Sequence, residues 1–312
     1  MRKRILLLLL CSLFMECISC QETLMLPHNA SSLTEEQKGM NPDRLAYPKS
    51  MKAKIEEEVS FECEPETGDL GPFSVSPITK VMFSPGNLQY RASTKTWRFA
   101  EHQWDYIGAD NQNISDSYTG WIDLFGWGTG NNPTNASPNN GDFSTFTDWG
   151  VNAISNGGNT ANQWRTLTND EWWYLLHDRP NAAALFSIGE FYGVLGIILL
   201  PDDCTLQAGA LFMTSADQGL VDYGSYYGGV DVTILSGGSE SWSKLEAAGA
   251  VFLPAAGYSA CESIVSGMGA IGNYWSSTPE GSENAWCIFF SLAQLNIDSD
   301  NRCEGQSVRL VR

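Results

Sequence analysis

Two kinds of position alternate along the last stretch of the chain, residues 273–312. Tyr274, Trp275, Ile288, Phe290, Gly305, Val308 and Leu310 have the character of buried strand, while Cys287, Phe289, Cys303 and several acids lie between them. A strand over 285–291 has a side-chain period of two. That period predicts Trp286, Ile288 and Phe290 on a core-facing side and Cys287, Phe289 and Ser291 on a free one. The tail therefore reads as a fixed frame carrying a second set of residues that packing alone does not call for.

Upstream the same reading gives short elements. In "WRTLTNDEWWYLLHDRP" Thr168 and Glu171 have the spacing of a capping box, Trp172, Leu175 and Leu176 form an apolar face, and Pro180 ends the helix. His177 falls in the last turn, where a cation is favoured by the helix dipole. "YGVLGIILLPDD" and "AGAVFLPAAGY" read as buried strands, the second preceded by a helix "SESWSKLEAAG" that stops at Gly249. "KVMFSPGNLQYRAST" followed by "KTWRFAEHQWDYIG" predicts a strand pair split by a turn. "GWGTGNNPTNASPNNGDFSTFTDWG" is a long irregular loop, with Trp121, Trp127 and Trp149 assigned to packing. Strands follow helices without regular alternation, which predicts an α+β fold with antiparallel pairing.

Composition narrows the classes. The 312 residues, 43% hydrophobic, are enough for a sizeable core, expected over residues 72–312. Residues 21–71 are poor in large apolar groups and read as a flexible tether. A net charge of −18 repels nucleic acid and anionic lipid alike. Arg2, Lys3 and Arg4 before the apolar run 5–14 read as a secretory signal over residues 1–20. "CISC" predicts acylation of Cys20, so the expected location is the outer membrane or cell surface, with membrane contact through the lipid anchor only. Secretion or release into the periplasm is the alternative.

Downstream of the signal the cysteines include no C-x-x-C pair, which argues against a zinc site, and the pairing of Cys63, Cys204, Cys261, Cys287 and Cys303 stays open. His102 and His177 are the only imidazoles downstream of residue 71 to serve a Ser or Cys nucleophile. "NIDSDNRCE" lacks the glycine and terminal glutamate of a helix-loop-helix calcium loop and reads as a polar hairpin turn. No cofactor or metal is expected.

"WRTLTNDEWWYLL", "VFLPAAGY", "YWSST" and the terminal "GQSVRLVR" resemble, in order, the C-type-lectin-like fold in its formylglycine-generating-enzyme branch. The run from "KVMFSPGNLQYRAST" through "NAISNGGN" is similar to secreted proteins of Bacteroidales. The resemblance implies short antiparallel strands, about two short helices and long loops. It also implies kinship with the variable proteins of diversity-generating retroelements, in which the C-terminal segment is rewritten to change ligand specificity. The enzyme branch uses a closely spaced cysteine pair near the C-terminus, which Cys287 and Cys303 do not reproduce.

The expected activity is non-catalytic binding of an extracellular protein or glycan. The expected ligand-contacting positions are Glu280, Glu283, Cys287, Phe289, Ser291, Ala293, Asp298, Asp300, Asn301, Cys303 and Glu304. A fixed adhesive or structural surface module, fimbrial or matrix-like, is the alternative.

Overall fold

A computed structural model describes residues 61–62, 70–206, 233–234, 239–261, 263–292 and 294–312. The signal, Cys20, Cys63, most of the tether and Ala293 lie outside them. In chain order the strands are β1 (Phe61–Glu62), β2 (Leu70–Ser74), β3 (Lys80–Phe83), β4 (Leu88–Arg91), β5 (Thr96–Phe99) and β6 (Arg165–Thr166). Helix α1 (Asn169–Trp173) and a π-helical turn (Tyr174–Asp178) precede β7 (Phe186–Phe191), β8 (Val194–Leu199), β9 (Thr205–Leu206) and β10 (Thr233–Ile234). Helix α2 (Ser239–Ala247) leads into β11 (Val251–Pro254), β12 (Tyr258–Ser259) and β13 (Val265–Ser266). The long tail strands are β14 (Ile271–Glu280), β15 (Asn284–Ser291) and β16 (Gln294–Asn301), and β17 (Leu310–Val311) closes the chain.

The architecture is α+β, built from small and mainly antiparallel sheets; the β7–β10 pair is parallel. One sheet has the order β2-β3-β17-β6, so the last strand is paired between two early ones. A second has the order β10-β7-β8-β11, and β14-β15-β16 form a three-stranded meander. The early hairpin is β4 with β5, one element later than the turn at Ser84–Asn87 suggested, because β3 pairs with β2 and β17 instead. Pairing also extends to the N-terminal side of Pro72, through Leu70 against Phe83 and Phe61 against Leu206.

Helix α1 forms where its capping box predicts. The Thr168 hydroxyl accepts from the Glu171 amide at 3.2 Å, and Glu171 Oε2 accepts from the Thr168 amide at 2.9 Å. Arg165 clamps the same carboxylate with two bonds of 2.7 Å, fixing the entry of the helix. Trp172, Leu175 and Leu176 are buried as expected. His177 departs from expectation: its ring stacks on Trp173 at 3.9 Å, and burial lowers its pKa to about 4, against a smaller opposing pull from Asp178. It is therefore neutral near pH 7, and no imidazolium serves the helix end.

Among the described residues, three apolar clusters hold the domain. The first gathers Phe73, Phe83, Trp172, Ile188, Leu253, Tyr274, Ile288 and Phe290. The second gathers Tyr90, Trp97, Phe125, Trp127, Trp149, Trp275, Ala285 and Cys287. The third surrounds Trp242 and Phe252. Trp127 and Trp149 pack as predicted, whereas Trp121 is only half-buried. No described helix is long and apolar enough to cross a membrane.

Candidate functional site: the outer face of the C-terminal sheet

The tail sheet is positioned by its own polar anchors. The Tyr274 hydroxyl donates to the Pro254 carbonyl at 2.8 Å and accepts from Asn87 Nδ2 at 3.0 Å. The indole of Trp275 donates to the Phe125 carbonyl at 2.7 Å, and that of Trp127 to the Ser276 carbonyl at 2.9 Å. Each buried aromatic thus fills core volume while its polar atom finds a backbone acceptor, which is the condition for burying it without loss.

Register then decides what faces out. Tyr274 pairs with Ile288 and Trp275 with Cys287, while β16 opposes Cys287 with Asp298, Phe289 with Asn296 and Ser291 with Gln294. Ala285, Cys287, Phe289 and Ser291 share one face of β15. Only the first two are buried, against the second cluster. Ile288 and Phe290 on the opposite face are buried against the first cluster, and Trp286 beside them is half-buried. The buried face changes sides between Cys287 and Ile288, because β15 passes from one core to the other.

That switch corrects several expectations. Cys287 is a buried free thiol, not a surface contact, and its pKa is pushed well up by burial and by the neighbouring Asp300. Trp286, assigned to the core, is half-buried instead. Cys303 is buried and joined to Cys261 by a disulfide, with Cα atoms 4.9 Å apart. Cys204 is disulfide-bonded as well. Asp300 is drawn inward, its Oδ2 accepting from Gln306 Nε2 at 2.9 Å and from the Cys287 thiol at 3.5 Å. "NIDSDNRCE" is no hairpin turn: its first six residues complete β16, since their polar side chains occupy half-buried or exposed positions that a strand tolerates.

The remaining candidates divide by place. Phe289, Ser291 and Asp298 come together on the outer face, with Ile271, Gln294 and Asn296 of the flanking strands beside them. Sequence reasoning missed Gln294 and Asn296 because it did not recognise β16, for which the alternation of Leu295 with polar neighbours was the available signal, and it missed Ile271 because the tail was read only from Asn273 onward. Glu280 and the exposed Glu283 sit at the β14–β15 turn, at the other end of the sheet. Asn301 bridges Asn140 and Glu304 at 3.3 Å each, so Asn301 and Glu304 tie down the strand end.

The outer face offers one aromatic ring among hydroxyl, amide and carboxylate groups, a set suited to contact without bond making. No group of three His, Cys, Asp or Glu able to hold a metal exists among the described residues. A depression beside Cys261 and Cys303 has about 20 Å3 of free volume, room for one water molecule and not for a sugar ring. Comparison with protein-family models, curated proteins and solved structures returns no match.

Proposed function

We propose that this chain is an exported, non-catalytic ligand-binding protein of C-type-lectin-like fold. It recognises an extracellular protein or glycan through the outer face formed by Phe289, Ser291, Gln294, Asn296 and Asp298. The carrying observation is the change of buried side along β15, which leaves Phe289 and Ser291 half-open while Ile288 and Phe290 behind them stay locked in the core. A half-open aromatic ring flanked by small polar groups has the composition of an interaction hot spot.

The chemistry of the other candidate groups supports a non-catalytic role. The Cys287 thiol is buried and its pKa is raised, the reverse of what a nucleophile needs. His177 is stacked on Trp173, and His102 lies on the surface 3.5 Å from Asp105. Lipid anchoring through Cys20 places the domain at the cell surface in this reading.

The test is binding of the exported domain to an array of extracellular proteins and glycans, before and after exchanging Phe289, Ser291, Asn296 and Asp298 together. A changed binding profile with unchanged melting supports the proposal; an unchanged profile removes it. Diversification of this face by a retroelement has its own check in the neighbouring DNA. A reverse transcriptase gene and a near-copy of the 3′ end, differing at adenines, are expected there, and their absence leaves the face with fixed contacts.

A further inference from the structure

A second surface feature lies on the early hairpin. Strands β4 and β5 turn Tyr90 and Trp97 into the core, so Gln89, Arg91, Thr96 and Arg98 fall on the opposite face. Trp121 covers that face. The guanidinium carbon of Arg91 is 4.3 Å from its ring centroid and that of Arg98 is 3.9 Å. The two cations are therefore held within about 8 Å of each other by one indole.

In a chain of 18 basic and 36 acidic residues, two adjacent arginines without a carboxylate are unusual company. Arg165 is clamped by Glu171, and Arg179 by Asp202 and two carbonyls. Arg302 donates to the Gly281 and Asn284 carbonyls, and Arg309 to Asn87 and Gln103. By contrast Arg98 spends only Nε, on Gln89 Oε1 at 2.9 Å, and Arg91 Nε is buried with no acceptor. No described carboxylate stands within ion-pair distance of either. Glu101 and Asp105 act on Arg98 only from farther away. Burial first, and then the charge of Arg91, lower the pKa of Arg98. An anion held by both guanidinium groups would offset that repulsion.

We propose that Arg91 and Arg98, seated on Trp121, form a binding site for an oxyanion group, either a free inorganic anion or one borne by an acidic saccharide. The guanidinium forks supply paired donors of the kind that match a sulfate, phosphate or carboxylate edge. The indole shields their stems from water and strengthens the attraction. The site is separate from the C-terminal sheet face and does not rest on the function proposed for it.

The test is titration calorimetry of the purified full chain with sodium sulfate, sodium phosphate and glucuronate at constant ionic strength. Saturable binding of at least one is expected, with R91Q and R98Q each weakening it about 10-fold or more. R98K, which keeps the charge and loses the fork, is expected to weaken it while the melting curve stays that of the parent, so a loss in R98Q through misfolding cannot be mistaken for support. K95Q, at the tip of the same hairpin, is expected to bind as the parent does. Tighter binding of glucuronate than of either inorganic ion identifies a saccharide source, and the reverse a free anion. Absence of binding for all three ions, or equal weakening by K95Q and R91Q, overturns the proposal.

Discussion

Trp275 and Cys287 face each other across β14 and β15, both buried, and the next pair along, Tyr274 and Ile288, is buried on the opposite side of the same sheet. The sheet is thus enclosed on both faces at its middle and open on alternate faces towards its ends. This geometry gives the tail a core on either side, and along β15 it places Phe289 two residues beyond the last buried position of its face, opposite the buried Asn273 of β14.

Truncating the frame should be costly. W275A, I288A and F290A each remove a fully buried side chain and are expected to destabilise the domain by about 2–5 kcal/mol. F289A, at a half-buried position, should cost about 1 kcal/mol. Chemical denaturation of the four variants measures the contrast.

The thiol of Cys287 should be silent in the native protein. Burial and a raised pKa deny it both access and thiolate character. A thiol reagent is expected to modify it only when denaturant unfolds the domain, and its rate should track the unfolding equilibrium. Rapid labelling of the native protein at Cys287 contradicts the burial described here.

The α1 cap should be separable from the core. T168A removes the acceptor for the Glu171 amide and is expected to cost about 1 kcal/mol, while T168S, which keeps the hydroxyl, should cost a few tenths. Thermal melting of the two variants checks this.

Acid stability should reflect two opposed groups. Asp123 accepts from Asn111 Nδ2 and the Ile107 amide at 2.8 Å each, yet complete burial raises its pKa from 3.8 to about 6. A raised acid holds its proton longer in the folded state, so its contribution is full below about pH 4 and is lost as pH rises through 6. His177, lowered from 6.5 to about 4, acts the other way: its contribution is full above pH 6.5 and is lost as pH falls towards 4. H177Q should therefore gain stability relative to the parent as pH drops from 6.5 to 4. Parallel melting temperatures for the two proteins across that range contradict the assignment.

The elements with strong local signals were legible in the sequence. Thr168 and Glu171 announce α1, the apolar runs around Ile197 and Phe252 announce their strands, and Gly249, at φ 83°, ends the turn after α2 as a glycine there should. The tail was half legible. Period two along β15 gives the correct split into faces, but burial depends on which core lies beneath each half, and that is set by distant partners such as Phe125 and Trp172. Hence period two alone puts Cys287 outward and Trp286 inward, where the two cores bury the first and half-expose the second. The strand after Ala293 went unrecognised because its polar residues follow the pattern of a partly solvated face, and the disulfide of Cys303 with Cys261 spans a separation of 42 residues that spacing cannot decode.

The central claim is that the outer face of the C-terminal sheet recognises a ligand while the frame behind it carries the fold. Its most direct measurement pairs two readouts on one variant, in which Phe289, Ser291, Asn296 and Asp298 are exchanged together: array binding and the melting temperature. The account predicts an altered binding profile and a melting temperature shifted far less than that of I288A. A profile matching the parent's, or a melting loss as large as that of I288A, would contradict it.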